Sequence, residues 1–161
     1  MSRAKKLIYL SGAMDAAPDH GAGWRRAMST SLAEMGGKCF NPCDVEETIA
    51  GVSGQELMAL REGNKAVFIE KTRKLIQHDL EVIRSKTGCL IAYLDEHPRA
   101  GTYGEVVFAY SQRVPVYAIC AVPEERIPGW VLACSSEVFS SLEECIVFFR
   151  NNVLVESTLA P

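Results

Sequence analysis

The sequence predicts an α/β protein built on a central parallel sheet of about five strands, with helices on both faces. Three observations predict it. Short apolar runs recur along the chain, each closed by turn residues. Segments with apolar side chains at helical spacing separate them. The two kinds alternate from one end to the other, the pattern of strand–helix–strand crossovers. Such crossovers are right-handed, and strands covered on both faces read as continuous apolar runs.

The elements follow in order. Residues 6–12 (KLIYLSG) form a buried strand stopped by Ser-Gly. Over residues 22–36, Trp24, Ala27, Met28, Ser31, Leu32 and Met35 recur at helical spacing, and Gly36-Gly37 stops the helix. Residues 38–42 (KCFNP) read as a second strand closed by Asn-Pro. Residues 43–62 carry turn glycines at Gly51 and Gly54 and one short helical stretch, QELMALRE. A longer helix covers about 65–85 through Val67, Ile69, Leu75, Ile76, Leu80 and Ile83. Residues 88–94 (GCLIAYL) suit a central strand, 102–113 a helix, 114–121 another buried strand and 131–139 a last short one. A final helix starts at Ser140-Ser141, with Glu143 and Glu144 in its first turn.

The 161 residues fit one domain, residues 1–161, large enough to bury a core without staples. A net charge of −3 argues against a nucleic-acid polymer as partner, because phosphate backbones attract basic surfaces. No run approaches the roughly 20 apolar residues of a membrane span, so no membrane partner is expected. Lys5 and Lys6 precede an apolar stretch too short for a signal core. The six cysteines form no CxxC pair, and several lie inside apolar runs, as buried reduced thiols would. A cytoplasmic protein follows.

In parallel sheets of this kind ligands bind beyond the carboxyl ends of the strands. That singles out residues 11–24, 41–64 and 95–105. The last is the most informative: a strand ends at Leu94, a polar turn follows, then Gly101-Thr102-Tyr103-Gly104 leads to Glu105 at or near a helix start. Two glycines allow a tight turn and close approach to a ligand. A first helical turn offers free N–H groups that would keep Glu105 ionised, and an ionised carboxylate at a cleft floor can attack a sugar carbon. On composition alone the same pattern also suits a plain helix cap with a solvated Glu105.

The segment G-x-x-G-E-x-x-x-A-x-S-x-x-x-P-V, running from Gly101 to Val116, resembles the active-site helix of the nucleoside 2-deoxyribosyltransferase family. LIYLSGAM resembles that family's first strand and glycine loop, and His78-Asp79-Leu80 its Asp-Leu pair before the central strand. The resemblance implies a flavodoxin-like three-layer sandwich and an enzyme of N-glycosidic bonds without metal or redox cofactor. It also implies a nucleoside or nucleotide substrate and a homo-oligomer. It makes Glu105 the nucleophile, Asp79 a carboxylate that orients it or holds the ribose, and Tyr9 a phenol that steadies it. Gly12, Gly101 and Thr102 join the expected substrate-binding residues.

One position departs from the family. Six residues before Glu105, deoxyribosyltransferases carry an acid that contacts the base, and related nucleotide N-glycosidases a serine facing a 5′-phosphate. Here Arg99 stands there. An arginine delivers no proton at neutral pH but binds phosphate or carboxylate at two points, which favours a phosphorylated or acidic ligand. Asp95 is a candidate for the missing acid, and Asn41 at a strand end for a ligand hydrogen bond. Phosphate-binding relatives place arginines soon after a Gly-Ser loop; here Arg25 and Arg26 follow Trp24, which reads as packing. His20 is a loop histidine with acid–base potential, and Arg126 and Trp130 lie where the family lends residues to a neighbouring subunit. Two alternatives stay open: hydrolysis of a larger nucleotide such as NAD or ADP-ribose, and a nucleotide sensor without catalysis.

Overall fold

The apolar runs become five parallel strands: β1 (Leu7–Gly12), β2 (Cys39–Phe40), β3 (Thr87–Leu94), β4 (Val116–Cys120) and β5 (Glu137–Phe139). They are seen in a computed structural model that describes residues 7–14, 19–96 and 100–158, with side chains to residue 152. The strand order is β2-β1-β3-β4-β5, so the protein is an α/β fold of flavodoxin-like topology. The order reverses between β1 and β3, and at that switch the helices following the two strands leave on opposite faces, opening a crevice.

Alternation along each strand sorts the core into two faces. Tyr9, Leu90, Ala92 and Val116 face one layer together with Val82, Ile83, Val106 and Ala109. Leu10, Ile91 and Ile119 face the other, with Met28, Leu32, Cys145 and Phe149. Both faces are apolar, which is why the sequence shows runs and not alternation.

Among the described residues, seven α-helices accompany the strands. The first is α1 (Ala22–Glu34). The region without a clear pattern, 43–62, resolves into a 3-10 turn at Pro42–Asp44, α2 (Glu46–Ala50) and α3 (Gly54–Gly63). Ser53 caps α3 in a reciprocal box with Glu56, and Asn64 caps α4 (Lys65–Lys86) through the Val67 N–H. Then come α5 (Ala100–Ser111), α6 (Gly129–Cys134) and α7 (Leu142–Thr158). Glu144 accepts from the Ser140 N–H at 2.8 Å and its own N–H donates to Ser141 Oγ at 3.1 Å, fixing the start of α7 where Ser-Ser predicts it.

Two expectations need correction. The strand expected over 131–139 is only Glu137–Phe139, because α6 occupies Gly129–Cys134. Val131 is buried while Trp130 and Leu132 are exposed, so one side chain in this short helix anchors it, a spacing too brief to register as periodic. The second strand shrinks from 38–42 to Cys39–Phe40, since Asn41 and Pro42 turn the chain. Among the described residues no helix is long and apolar enough to cross a membrane.

Candidate active site

β1 carries Tyr9 and Ser11, two residues apart and therefore on one face. Both are fully buried. Tyr9 Oη donates to Glu105 Oε1 at 2.8 Å, and Ser11 Oγ donates to Glu105 Oε2 in a short hydrogen bond. The carboxylate of α5 is thus gripped at both oxygens by hydroxyls of the neighbouring strand. Ser11 is absent from the sequence-derived set. The period of two from Tyr9 in LIYLSG is the signal that identifies it.

The position of Glu105 differs from expectation. It is the sixth residue of α5, beyond the first turn, and no acidic residue lies in that turn. Free N–H groups therefore do not hold it; side-chain hydroxyls from β1 do. Nor is it kept at an ordinary carboxylate value. Burial raises its pKa to about 7, and the negative charge of Asp79 adds to the rise. The hydroxyls of Ser11 and Tyr9 and the positive charge of Arg25 oppose it. A part of Glu105 stays open to solvent while protein surrounds the rest of its carboxylate, so desolvation outweighs the hydrogen bonds. The Tyr9 phenol is driven far above its usual range, chiefly by burial and then by Glu105, and stays a donor.

Asp79, on α4, lies close by. Burial lifts its pKa, against the hydrogen bond from His78 Nδ1 at 3.2 Å. The nearby Tyr9 hydroxyl also favours the ionised form of Asp79, while its one proton is donated to Glu105. Phe40 on β2 stacks on Tyr9 with centroids 5.4 Å apart and tilts against His78 at 5.9 Å, walling the cluster on one side.

Two cavities meet at Asp79, Gly101 and Glu105. One, of about 220 Å³, is lined by Gly12, Met14, Glu46, Phe68, Thr72 and Thr102 among others. The second, of about 780 Å³, runs between α4 and α5 along Ile76, Leu80, Tyr103, Val107 and Phe108. Gly101 and Gly104 lie within α5, where a Cβ at either would meet nothing within 4 Å. They keep the cavity walls low and make no turn.

The other predicted residues divide. Gly12, Gly101 and Thr102 line the first cavity. Asn41 instead caps the 3-10 turn, accepting from the Cys43 N–H at 3.2 Å and donating to Asp44 at 2.8 Å, and lines neither cavity. Asp95 follows β3 and also lines neither. Arg99 lies outside the described residues. Trp24 packs flat on Tyr93 at 5.1 Å, as its spacing implied. His20 stands 3.4 Å from Glu46 and lines neither cavity at Glu105. Among the described residues no group of three His, Cys, Asp or Glu side chains is placed to hold a metal ion.

A solved 2-deoxyribosyltransferase from Bacillus psychrosaccharolyticus is similar to this chain, with a TM-score of 0.65 over 91% of this chain and 94% of that one. Identity is 16%, so the likeness establishes the fold. No family model matches the chain, and no curated protein matches it either.

Proposed function

We propose that the protein cleaves or transfers at the N-glycosidic bond of a nucleoside, with Glu105 as nucleophile. The observation that carries this is the double grip of Tyr9 and Ser11 on a carboxylate at the meeting of two cavities, at the sheet's switch point. Ionised Glu105 attacks C1′. The C1′–N bond breaks, its electron pair leaves with the base, and a glycosyl ester forms. Water or a second base then attacks C1′, frees the carboxylate and gives up one proton, which balances the proton the departed base takes up. The hydroxyl donors orient the attacking oxygen and hold the carboxylate charge during departure. Asp79 faces the same space and suits a sugar hydroxyl. The Thr72 hydroxyl on that wall is buried without a hydrogen-bond partner, which a ligand hydroxyl would supply. Similarity to a 2-deoxyribosyltransferase supports the same chemistry.

The described walls favour a nucleoside over a nucleotide. Glu46, Asp79 and Glu105 all line the smaller cavity, and no described lysine or arginine does, so a phosphate would meet three carboxylates. We take the chain to be a homo-oligomer, as the family resemblance implies; light scattering in solution tests this.

Incubation with a panel of nucleosides, nucleoside 5′-monophosphates and NAD, followed by chromatography of the free base, tests the function. Base release from nucleosides that Glu105→Ala abolishes is the expected result. Release by Glu105→Ala at the wild-type rate overturns the mechanism. Thermal stabilisation by a nucleotide with no base released would establish a sensor instead.

A further inference from the structure

Arg25 is the one charged side chain that is fully buried among the described residues, at 1% exposure. A buried guanidinium normally faces a carboxylate. Here its hydrogen bonds go to main-chain carbonyls. Nη2 donates to Gly12 O at 2.8 Å, and Nη1 donates to Gly21 O at 3.1 Å and Ala13 O at 3.4 Å. Its Nε has no hydrogen-bond partner. The guanidinium also lies 4.8 Å from the Trp24 ring, and Trp24 in turn packs on Tyr93.

The backbone is shaped around this side chain. Gly21 has φ 69, and a Cβ there would come within 2.2 Å of Arg25 Nη1. A Cβ on Gly12 would come within 2.7 Å of Trp24. Both ends of the first loop are therefore glycines that admit Arg25 and Trp24 closely. Gly12, Ala13 and Met14 of that loop line the cavity of Glu105.

We infer that Arg25 is a positioning residue: its guanidinium ties the Gly12 and Ala13 carbonyls that follow β1 to the Gly21 carbonyl that precedes α1, and so fixes the backbone at the rim of the Glu105 cavity. The inference rests on the reading of Glu105 as nucleophile only in its catalytic consequence. The charge acts on Glu105, lowering its pKa, and on Tyr9 in the same direction. The groups facing Glu105 are otherwise Tyr9 and Ser11 from β1 and Asp79 from α4, with Glu46 across the cavity. Two of these are hydroxyls and two are acids, so among them Arg25 alone brings positive charge. Its other ionisable neighbours, Asp19 and Cys43, also feel that charge, and Asp19 Oδ1 and Oδ2 accept from the Gly21 and Gly23 N–H groups of the same loop.

Two substitutions test the clamp. Arg25→Lys keeps charge and loses the fork; Arg25→Gln keeps donors and removes charge. Arg25→Lys should raise KM for base release with its pH profile unmoved, because the carbonyls are no longer held together while the charge stays. Base release should fall by about 100-fold in Arg25→Gln, through misplacement of the cavity rim. Wild-type KM and kcat in Arg25→Lys overturn the clamp. If Arg25→Gln does not fold, thermal melts identify this, and the KM of Arg25→Lys still decides. Turnover by Glu105→Ala would instead remove the nucleophile reading and leave the KM of Arg25→Lys to judge the clamp.

Discussion

Glu105 on one face of the sheet, and Cys89 and Cys145 on the other, are ionisable groups that burial pushes toward their neutral forms. Glu105 rises to about 7, and both thiols to about 12. The desolvation is shared; the surroundings differ. Cys89 and Cys145 pack among Leu10, Met28, Ile91 and Phe149 and line neither of the two cavities at Glu105. Their protonated form is complete at any physiological pH, so they are inert. Glu105 meets two hydroxyl donors and two cavities, and feels the positive charge of Arg25. Those partners hold its pKa in the range where both forms are populated near neutrality. Burial alone thus silences an acid, and burial with donors and space around it leaves one that can react.

Several measurements put that contrast at risk. The largest effect is expected from Glu105→Ala, a loss of base release of about 10,000-fold or more by chromatographic assay. Tyr9→Phe should lower kcat by about 100-fold, as loss of one charge-stabilising donor does. It also removes a hydrogen bond that favours the ionised form, so the acid limb of the kcat/KM profile, about 7 in the wild type, should move to higher pH.

Stability responds with the opposite sense. The folded-state pKa of Glu105 lies above its unfolded value of 4.5, so the folded protein binds the extra proton between 4.5 and about 7. Stability therefore falls as pH rises through that window. Glu105→Gln removes the cost and should stabilise the protein by about 2 kcal/mol at pH 8, and by little at pH 4, in chemical unfolding. Asp79→Asn should reduce activity less than Tyr9→Phe. Because Asp79 raises the pKa of Glu105, its loss should move the acid limb downward, opposite to Tyr9→Phe. Smallest of all, Cys89→Ala should leave turnover unchanged and cost about 1 kcal/mol of stability. A pH profile altered by Cys89→Ala would end the contrast between the faces.

Much of this arrangement is legible in the order of residues along the chain. The alternation of apolar runs and helical spacing gives the layers, because a strand buried on both faces leaves the same imprint wherever it lies. Tyr9, Asp79 and Glu105 are legible as a set through motif resemblance. The short α6 is not, because one buried residue, Val131, makes no period. Asn41 misleads for a related reason: a strand-end amide suits a ligand and a local cap equally, and only the Asp44 and Cys43 contacts decide between them.

Residue type and spacing along the chain thus suffice for the strand–helix order and for the faces the longer elements bury, and motif resemblance proposes Glu105 as the carboxylate to test. What Glu105 is chemically depends on packing. Its partners Tyr9 and Ser11 are 96 and 94 positions away, and the charge of Arg25 acts on it from α1. Its protonation is set by burial, opposing charges and two hydroxyls together, and that balance exists only once β1, α1, α4 and α5 are packed against one another.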